Sequence, residues 1–205
     1  ISNRLSLGAD ADCCSGGRVY DFKKKHLEPV YSFFSGSAHR RQQTGSCLEG
    51  LKTVGECMAA LSQHREAVNP FAEGAVSSVS MHYGGLVGDH TTASMVVALE
   101  EDRIVVWTTG SSCPCVSLFK PWVFGTGPVL PVVKAQNGAG EQYWREAETF
   151  RRSLLGRKLP AAFYARHEAL QRQWNERAAK SPTEEFAEFS KECLEEERVF
   201  FETWK

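Results

Sequence analysis

Apolar and polar residues alternate at the start of the chain. The odd-numbered positions among the first seven residues are apolar except for Asn3, and the even-numbered positions are polar. A period of two is typical of a strand that has one buried face. The pattern therefore predicts a half-buried strand over 1–7. Small and polar residues predict loops over 8–18 and 36–46.

A helix start signal follows at Thr53. Thr53 and Glu56 have the Thr-x-x-Glu spacing of a capping box, and a run of mostly apolar residues follows them. The pattern predicts a helix over 53–66. We expect Asn69-Pro70 to end it, because the residue before a proline avoids the helical conformation.

The middle third of the chain has the composition of a β-sheet. Residues 75–83 set Val76, Ser78 and Ser80 against Ser77, Val79 and Met81 in alternation, which predicts a strand. Residues 92–99 and 103–109 are apolar and rich in β-formers, and three acidic residues join them, which predicts a hairpin. A further run ends at Phe124 and contains Pro121. A proline cannot donate to a β-ladder, so this run is predicted to be an edge or irregular strand.

The last third is predicted to be helical. Residues 125–140 read as a linker-like loop, and two apolar stripes with helical spacing follow it. Pro160 and Ser181-Pro182 punctuate these helices, with Thr183 as a candidate cap. The stripes consist of Phe163, His167, Leu170 and Trp174, and of Phe186, Phe189, Cys193, Phe200 and Trp204.

This order of elements predicts an α+β layered architecture. We expect one domain over 1–205, with a strand, helix and sheet part over 1–124 and a helical part over 141–205. The first residue already lies in a strand pattern, so we also expect a processed chain or a fragment of a longer one.

Charge narrows the function classes. The chain has 24 basic and 25 acidic residues, which gives no case for nucleic acid as a partner. Residues 18–41 are basic and 184–202 are acidic, and we interpret both as solvated faces. No apolar run approaches the ~20 residues of a membrane span, so no membrane-spanning segment is predicted.

The seven cysteines fit no disulfide framework and no paired Cys-x-x-Cys pattern. We therefore predict reduced thiols and a cytoplasmic location. A metal at Cys113 and Cys115 would need two more ligands, and the spacing to His82 and His90 matches no zinc module. Cys113-Pro114-Cys115 is interpreted as a structural turn, with metal and redox roles as alternatives. No metal and no cofactor are predicted.

Asn3 is the best-placed polar group in the pattern. It lies in the middle of a predicted strand, on the apolar side of the alternation. A buried amide must be hydrogen-bonded or it costs free energy. Asn3 is therefore either a satisfied core amide or a donor that stabilises an oxyanion.

Three segments together resemble the secernins, within the wider dipeptidase family of N-terminal-nucleophile cysteine hydrolases. They are "ISNRLSL" at 1–7, "HTTASMVVAL" at 90–99 and "TTGSSCPCVSLFKPWVFG" at 108–125, and the C-terminal "ERVFFETW" is similar to the family's ending. The match covers nearly the whole chain but only the C-terminal half of a secernin.

The resemblance implies the C-terminal portion of an αββα N-terminal-nucleophile hydrolase-like sandwich. It further implies that a cysteine at a processed N-terminus attacks an amide carbonyl, with the free α-amino group as base. Asn3 would stabilise the oxyanion, and Thr91 and Thr92 would line the substrate site. Pro114 is the matched feature of the Cys-Pro-Cys turn.

The chain departs from the family in one respect. Ile1 holds its first position, so no residue of the chain can be the nucleophile. We expect an N-terminal nucleophile-bearing segment or second chain as partner. Three functions stay open: the C-terminal part of a cysteine amidohydrolase or dipeptidase, a catalytically inactive subunit of a larger protein assembly, or a stand-alone binding domain.

Overall fold

A computed structural model of the chain describes residues 8–9, 20–65, 69–83, 89–125 and 138–205. Within these ranges, helices and one three-stranded antiparallel sheet make up an α+β protein. The predicted strand over 1–7, with Asn3, lies outside the described residues. The helices are α1 (Phe22–His26), α2 (Pro29–Phe34), α3 (Ser37–Leu48), α4 (Val54–Leu61), α5 (Pro70–Glu73), α6 (Ala139–Ser153), α7 (Ala161–Ala178) and α8 (Phe186–Trp204), and the strands are β1 (Met95–Leu99), β2 (Ile104–Thr108) and β3 (Lys120–Val123).

Helix α3 corrects the predicted loop over 36–46. Its residues are mostly polar, so they form no apolar stripe that would announce a helix, although several of them have good intrinsic helix propensity. Arg40 anchors the helix from a buried position. Its guanidinium donates to the carbonyl oxygens of Ser35, at 2.5 Å, and Val76, at 2.6 Å.

The capping box of α4 is confirmed. The Thr53 hydroxyl accepts from the Glu56 amide at 3.2 Å, and the Glu56 carboxylate accepts from the Thr53 amide at 2.8 Å. The helix nevertheless ends at Leu61, not at 66. The Ser62 hydroxyl lies 2.9 Å from the Met58 carbonyl oxygen and 3.1 Å from that of Pro114, and either of them can accept its one proton. The predicted stop signal at Asn69-Pro70 instead begins α5, with Pro70 in the first turn, where proline is favoured.

The strand predicted over 75–83 is wrong. The segment folds into successive turns, closed by a hydrogen bond from the Ala75 amide to the His82 carbonyl at 2.9 Å. Ser78 and Ser80 are both fully buried. The alternation of valine and serine therefore does not separate a core face from a solvent face, which is the premise of a strand prediction.

The predicted hairpin and edge strand are confirmed. β1 pairs with β2 in the register Met95↔Thr108 to Leu99↔Ile104, and β3 pairs with the other side of β2. Helix α8 covers the free edge of β3, because Ser190 donates its hydroxyl to the carbonyl oxygen of Pro121.

The two faces of the sheet differ. Val105, Trp107 and Val123 point into the core, where they join the aromatic side chains of the C-terminal helices. The opposite face, here named the open sheet face, exposes apolar side chains along β1 and at Ile104 and Phe124, while Val106 on the same face is buried. Its members, with their exposed fractions, are Met95 (60%), Val97 (45%), Leu99 (79%), Ile104 (37%) and Phe124 (64%).

The helical C-terminal part is confirmed. Both predicted stripes face the core, although Trp204 is only partly buried, and its ring packs 5.4 Å from that of Phe163. Thr183 does not act as a side-chain cap; it opens a short 3₁₀ helix that precedes α8. Among the described helices, none combines the length and the apolar character needed to cross a bilayer.

Candidate functional site

Thr91 and Thr92 lie four and three residues before the start of β1 and line a cavity of about 430 Å³. The Thr91 hydroxyl accepts from the Met81 amide at 3.0 Å and donates to the Val79 carbonyl at 3.4 Å. Thr91 therefore fixes the turn segment that precedes His82, whereas the Thr92 side chain is exposed. Asn3, the third residue predicted for the site, falls in the part of the chain that is not described.

The Cys113-Pro114-Cys115 segment forms the predicted turn. The Cys113 carbonyl accepts from the Val116 amide at 3.0 Å and from the Ser117 amide at 3.2 Å. Cys113 has φ = 61°, which lies in the left-handed backbone region that residues other than glycine rarely adopt. Its amide donates to the Thr91 carbonyl at 2.8 Å, which ties this turn to the threonine cavity.

The turn brings its two thiols next to a pair of histidines. His82 Nε2 lies 3.2 Å from Cys115 Sγ and 3.0 Å from His64 Nε2, and His82 Nδ1 lies 3.7 Å from Cys113 Sγ. We call these four residues the His–Cys cluster. They come from three places in the fold: the segment after α4, the turns over 75–83 and the Cys-Pro-Cys turn.

Backbone contacts hold the cluster together. The Ser80 amide donates to the Gln63 carbonyl at 3.0 Å, and Ser78 accepts the Arg65 amide at 2.9 Å. These bonds fasten the segment after α4 to the turns that carry His82. The ring of Phe71 packs edge-on against His82, with centroids 4.6 Å apart. The cluster is thus built on fixed backbone and screened from water on one side.

Burial keeps the cluster uncharged. It lowers the pKa of His82 to about 3, with a further contribution from the neighbouring His64 imidazole, whose own pKa burial also lowers. It raises the pKa of Cys113 to about 12 and that of Cys115 further still. At neutral pH the imidazoles are neutral and the thiols protonated. A thiol nucleophile instead needs a lowered pKa, so this pair does not match an activated cysteine.

A nearly buried ion pair on α6 acts electrostatically on the His–Cys cluster. Arg151 donates to Glu148 at 2.5 Å, and both side chains are nearly buried. The hydrogen bond from Arg151 lowers the pKa of Glu148 to about 2, so the carboxylate stays ionised. The charge of Arg151 also acts on His82, where it opposes protonation.

One side of the cluster borders a second cavity. This cavity measures about 540 Å³ and lies between α4 and α7. His64 and Cys115 contribute to its wall, together with the polar side chains of Gln171 and Asn175 from α7. A ligand in this cavity would therefore contact two members of the cluster directly.

Sequence reasoning found only part of this site. It named His82 and His90 as the histidines nearest to the Cys-Pro-Cys turn, and the structure brings His82 to it while His90 lines the threonine cavity instead. No sequence signal points to His64. It stands 18 residues from His82, which stands 33 from Cys115, and only the tertiary fold brings them together.

Comparison with known proteins found no match for the chain among family models, curated proteins or solved structures. The resemblance to the secernins thus rests on the motifs quoted above.

Proposed function

We propose that this chain is the C-terminal part of a secernin-like cysteine amidohydrolase or dipeptidase, and that it contributes one sheet and its helices to an αββα sandwich. The open sheet face is the observation that carries the proposal. Helices cover one face of the sheet, while Met95, Val97 and Leu99 expose apolar side chains on the other. In such a sandwich a second sheet packs on that face, about 10 Å away.

The threonine cavity supports the same arrangement. Met95 belongs to the open sheet face and also lines the cavity with Thr91 and Thr92. A layer placed on this face would therefore bring its own residues to the cavity. In the proposed enzyme this layer carries the nucleophilic cysteine and its α-amino base, and Asn3 donates a hydrogen bond to the oxyanion.

The test uses the complete open reading frame, purified and assayed for dipeptide hydrolysis. We expect a processed N-terminal cysteine, and we expect Asn3→Ala to lower kcat about 10²–10³-fold without loss of fold, as for removal of one oxyanion donor. Asn69→Ala is the matched control, since Asn69 makes no side-chain cap bond at the start of α5. A soluble, active, monomeric protein made of these 205 residues alone would disprove the proposal.

A catalytically inactive subunit of a larger assembly is the second candidate. The open sheet face supports it as well, since a partner that covers Met95, Val97 and Leu99 need not carry a nucleophile. The same experiment separates the two functions. If the complete protein binds its partners, hydrolyses no dipeptide and loses only stability in Asn3→Ala, the subunit function is correct.

A further inference from the structure

We propose that His64, His82 and Cys115 form a binding site for a borderline transition-metal cation of the Zn²⁺ class. The three ligand atoms lie within 4.8 Å of one another. Imidazole nitrogen and thiolate sulfur are ligands that Zn²⁺ prefers. The proposal goes beyond the hydrolase function and does not depend on it. It also departs from the sequence-based expectation of a metal-free turn, which considered ligand spacing along the chain only.

The spacing of the ligand atoms suits a tetrahedral cation. Zn–N bonds of about 2.0–2.1 Å and Zn–S bonds of about 2.3 Å put neighbouring ligand atoms roughly 3.3–3.6 Å apart. The two shortest separations in the cluster are 3.0 Å, from His64 to His82, and 3.2 Å, from His82 to Cys115. These two separations differ from tetrahedral spacing by a few tenths of an ångström, and the ligand atoms of His64 and Cys115, which lie within 4.8 Å of each other, would take up the same spacing around the cation.

Hydrogen bonding alone cannot account for both short contacts of His82 Nε2. His82 Nε2 is close to both His64 Nε2 and Cys115 Sγ, but a ring nitrogen has either one proton or one lone pair. It can therefore make one good hydrogen bond and not two. A cation placed between the three atoms removes this conflict, because it accepts a lone pair from each of them.

The surroundings of His82 suit a metal ligand. With Nε2 bound to the cation, Nδ1 carries the proton and donates toward Cys113 Sγ, which lies 3.7 Å away. Cys113 in turn donates toward the Met81 carbonyl. Hydrogen bonds of this kind from the second nitrogen orient metal-binding histidines. Burial also keeps the imidazole neutral, which is the form that binds metal.

Binding has a defined proton balance. The Cys115 S–H bond breaks, the S–metal bond forms, and one proton passes to solvent for each cation bound. Three protein ligands leave the fourth position open, and His64 and Cys115 both border the 540 Å³ cavity. Water from that cavity would complete the tetrahedron. Three protein ligands with one exchangeable position distinguish catalytic zinc sites from closed structural ones.

The test titrates the purified chain, first treated with a chelator, with Co²⁺ and then with Zn²⁺. We expect one equivalent of Co²⁺ to produce a thiolate charge-transfer absorption that Zn²⁺ abolishes, and calorimetry to detect one released proton. Cys115→Ser should remove the absorption and weaken Zn²⁺ binding by more than the roughly 10–100-fold typical of outer-shell changes. The controls are His90→Ala and Cys57→Ser, the second of which alters a half-buried thiol on α4. Both should leave the thiolate absorption and the Zn²⁺ affinity unchanged.

The proposal is overturned if Co²⁺ gives no thiolate absorption, or if Cys57→Ser or His90→Ala abolishes binding as Cys115→Ser does. Circular dichroism of each metal-free variant separates lost binding from lost folding. If Cys115→Ser does not fold, His64→Gln provides the second test, since His64 is less buried. A folded His64→Gln protein that binds Zn²⁺ with unchanged affinity also overturns the proposal.

Discussion

Lys120 and Glu197 form an ion pair with no exposure to solvent, in which the ammonium lies 2.7 and 2.8 Å from the two carboxylate oxygens. The pair is fully hydrogen-bonded. Lys120 also donates to the Leu118 carbonyl at 2.7 Å, and Glu197 accepts from Tyr143 at 2.6 Å and from the Leu118 amide at 3.0 Å. Since Lys120 lies on β3 and Glu197 on α8, the pair joins the edge strand to the C-terminal helix.

The first prediction concerns this pair. Lys120→Met leaves the Glu197 carboxylate buried without its cation, and we expect it to lower the free energy of unfolding by about 3–5 kcal/mol. Lys120→Met with Glu197→Gln should lose less, because the amide is neutral, its oxygen still accepts from the Leu118 amide, and its NH₂ group can donate to the Tyr143 hydroxyl, which can itself donate to the Thr109 carbonyl. Urea unfolding of the single and double variants measures the difference.

The exposed pair of Arg145 and Glu141 provides the control for that measurement. Both side chains are largely in solvent, one helical turn apart on α6. Arg145→Met should cost no more than about 0.5 kcal/mol. Two outcomes would contradict the prediction. Lys120→Met could lower the free energy of unfolding no more than Arg145→Met does, or the double variant could be less stable than Lys120→Met alone. Either would mean that burying an unpaired charge is not what makes Lys120→Met costly.

The sequence predicted those elements whose signals are local. The Thr53–Glu56 box and the acidic turn after Leu99 act over three or four residues, so their patterns could be recognised without a fold. Helix α3 was missed because tertiary bonds from Arg40, rather than an apolar stripe, hold it in place. The strand predicted over 75–83 failed for the same reason, since long-range contacts bury two of its three serines, Ser78 and Ser80.

The candidate site was harder to predict than the fold. The turn at Cys113-Pro114-Cys115 was predicted correctly because proline determines local backbone shape. Its neighbours were not, because His64 and His82 reach it only through the turns that follow α4. The left-handed conformation of Cys113 has no sequence signal either, as it depends on the bond from its amide to the Thr91 carbonyl.

The second prediction ranks two aromatic residues of α8. Phe200 is 3% exposed and packs on Phe163 at 5.1 Å, whereas Trp204 is only partly buried at the end of the helix. Phe200→Ala should therefore cost about 3–5 kcal/mol, and Trp204→Ala clearly less. Thermal unfolding followed by circular dichroism gives both values. Equal losses would mean that the end of α8 is as tightly packed as its middle.

The third prediction concerns pH. Burial lowers the pKa of His167 from 6.5 to about 4, against the opposing effect of its hydrogen bond to the Ser117 carbonyl. Between these values the unfolded chain binds a proton that the folded chain does not. The contribution of His167 to stability is therefore complete above pH 6.5 and is lost as pH falls toward 4, with a slope of about 1.4 kcal/mol per pH unit.

His167→Gln tests this origin of the pH dependence. Glutamine keeps a donor for the Ser117 carbonyl but does not titrate. Urea unfolding at several pH values between 7 and 4 gives the free energy of unfolding as a function of pH. We expect this dependence to be shallower in the variant, by the contribution of one titrating histidine. His82, with a pKa lowered to about 3, retains its own contribution in both proteins. An unchanged slope in His167→Gln would assign the pH dependence to other groups.

The last prediction tests whether the open sheet face is an internal face of a larger protein. Val97→Lys and Leu99→Lys place charges on side chains that are 45% and 79% exposed in this chain. In the chain alone they should change the free energy of unfolding by no more than about 0.5 kcal/mol and raise solubility, because they break up an apolar patch. In the complete protein the same lysines would be buried without partners beneath the covering layer, so the double variant should lose stability strongly or fail to assemble.

Val199→Lys is the matched control, since Val199 is 67% exposed on α8, and it should be harmless in both proteins. A complete protein that tolerates the double variant as well as Val199→Lys would place the open sheet face in solvent, and the sandwich proposal would lose the observation on which it rests.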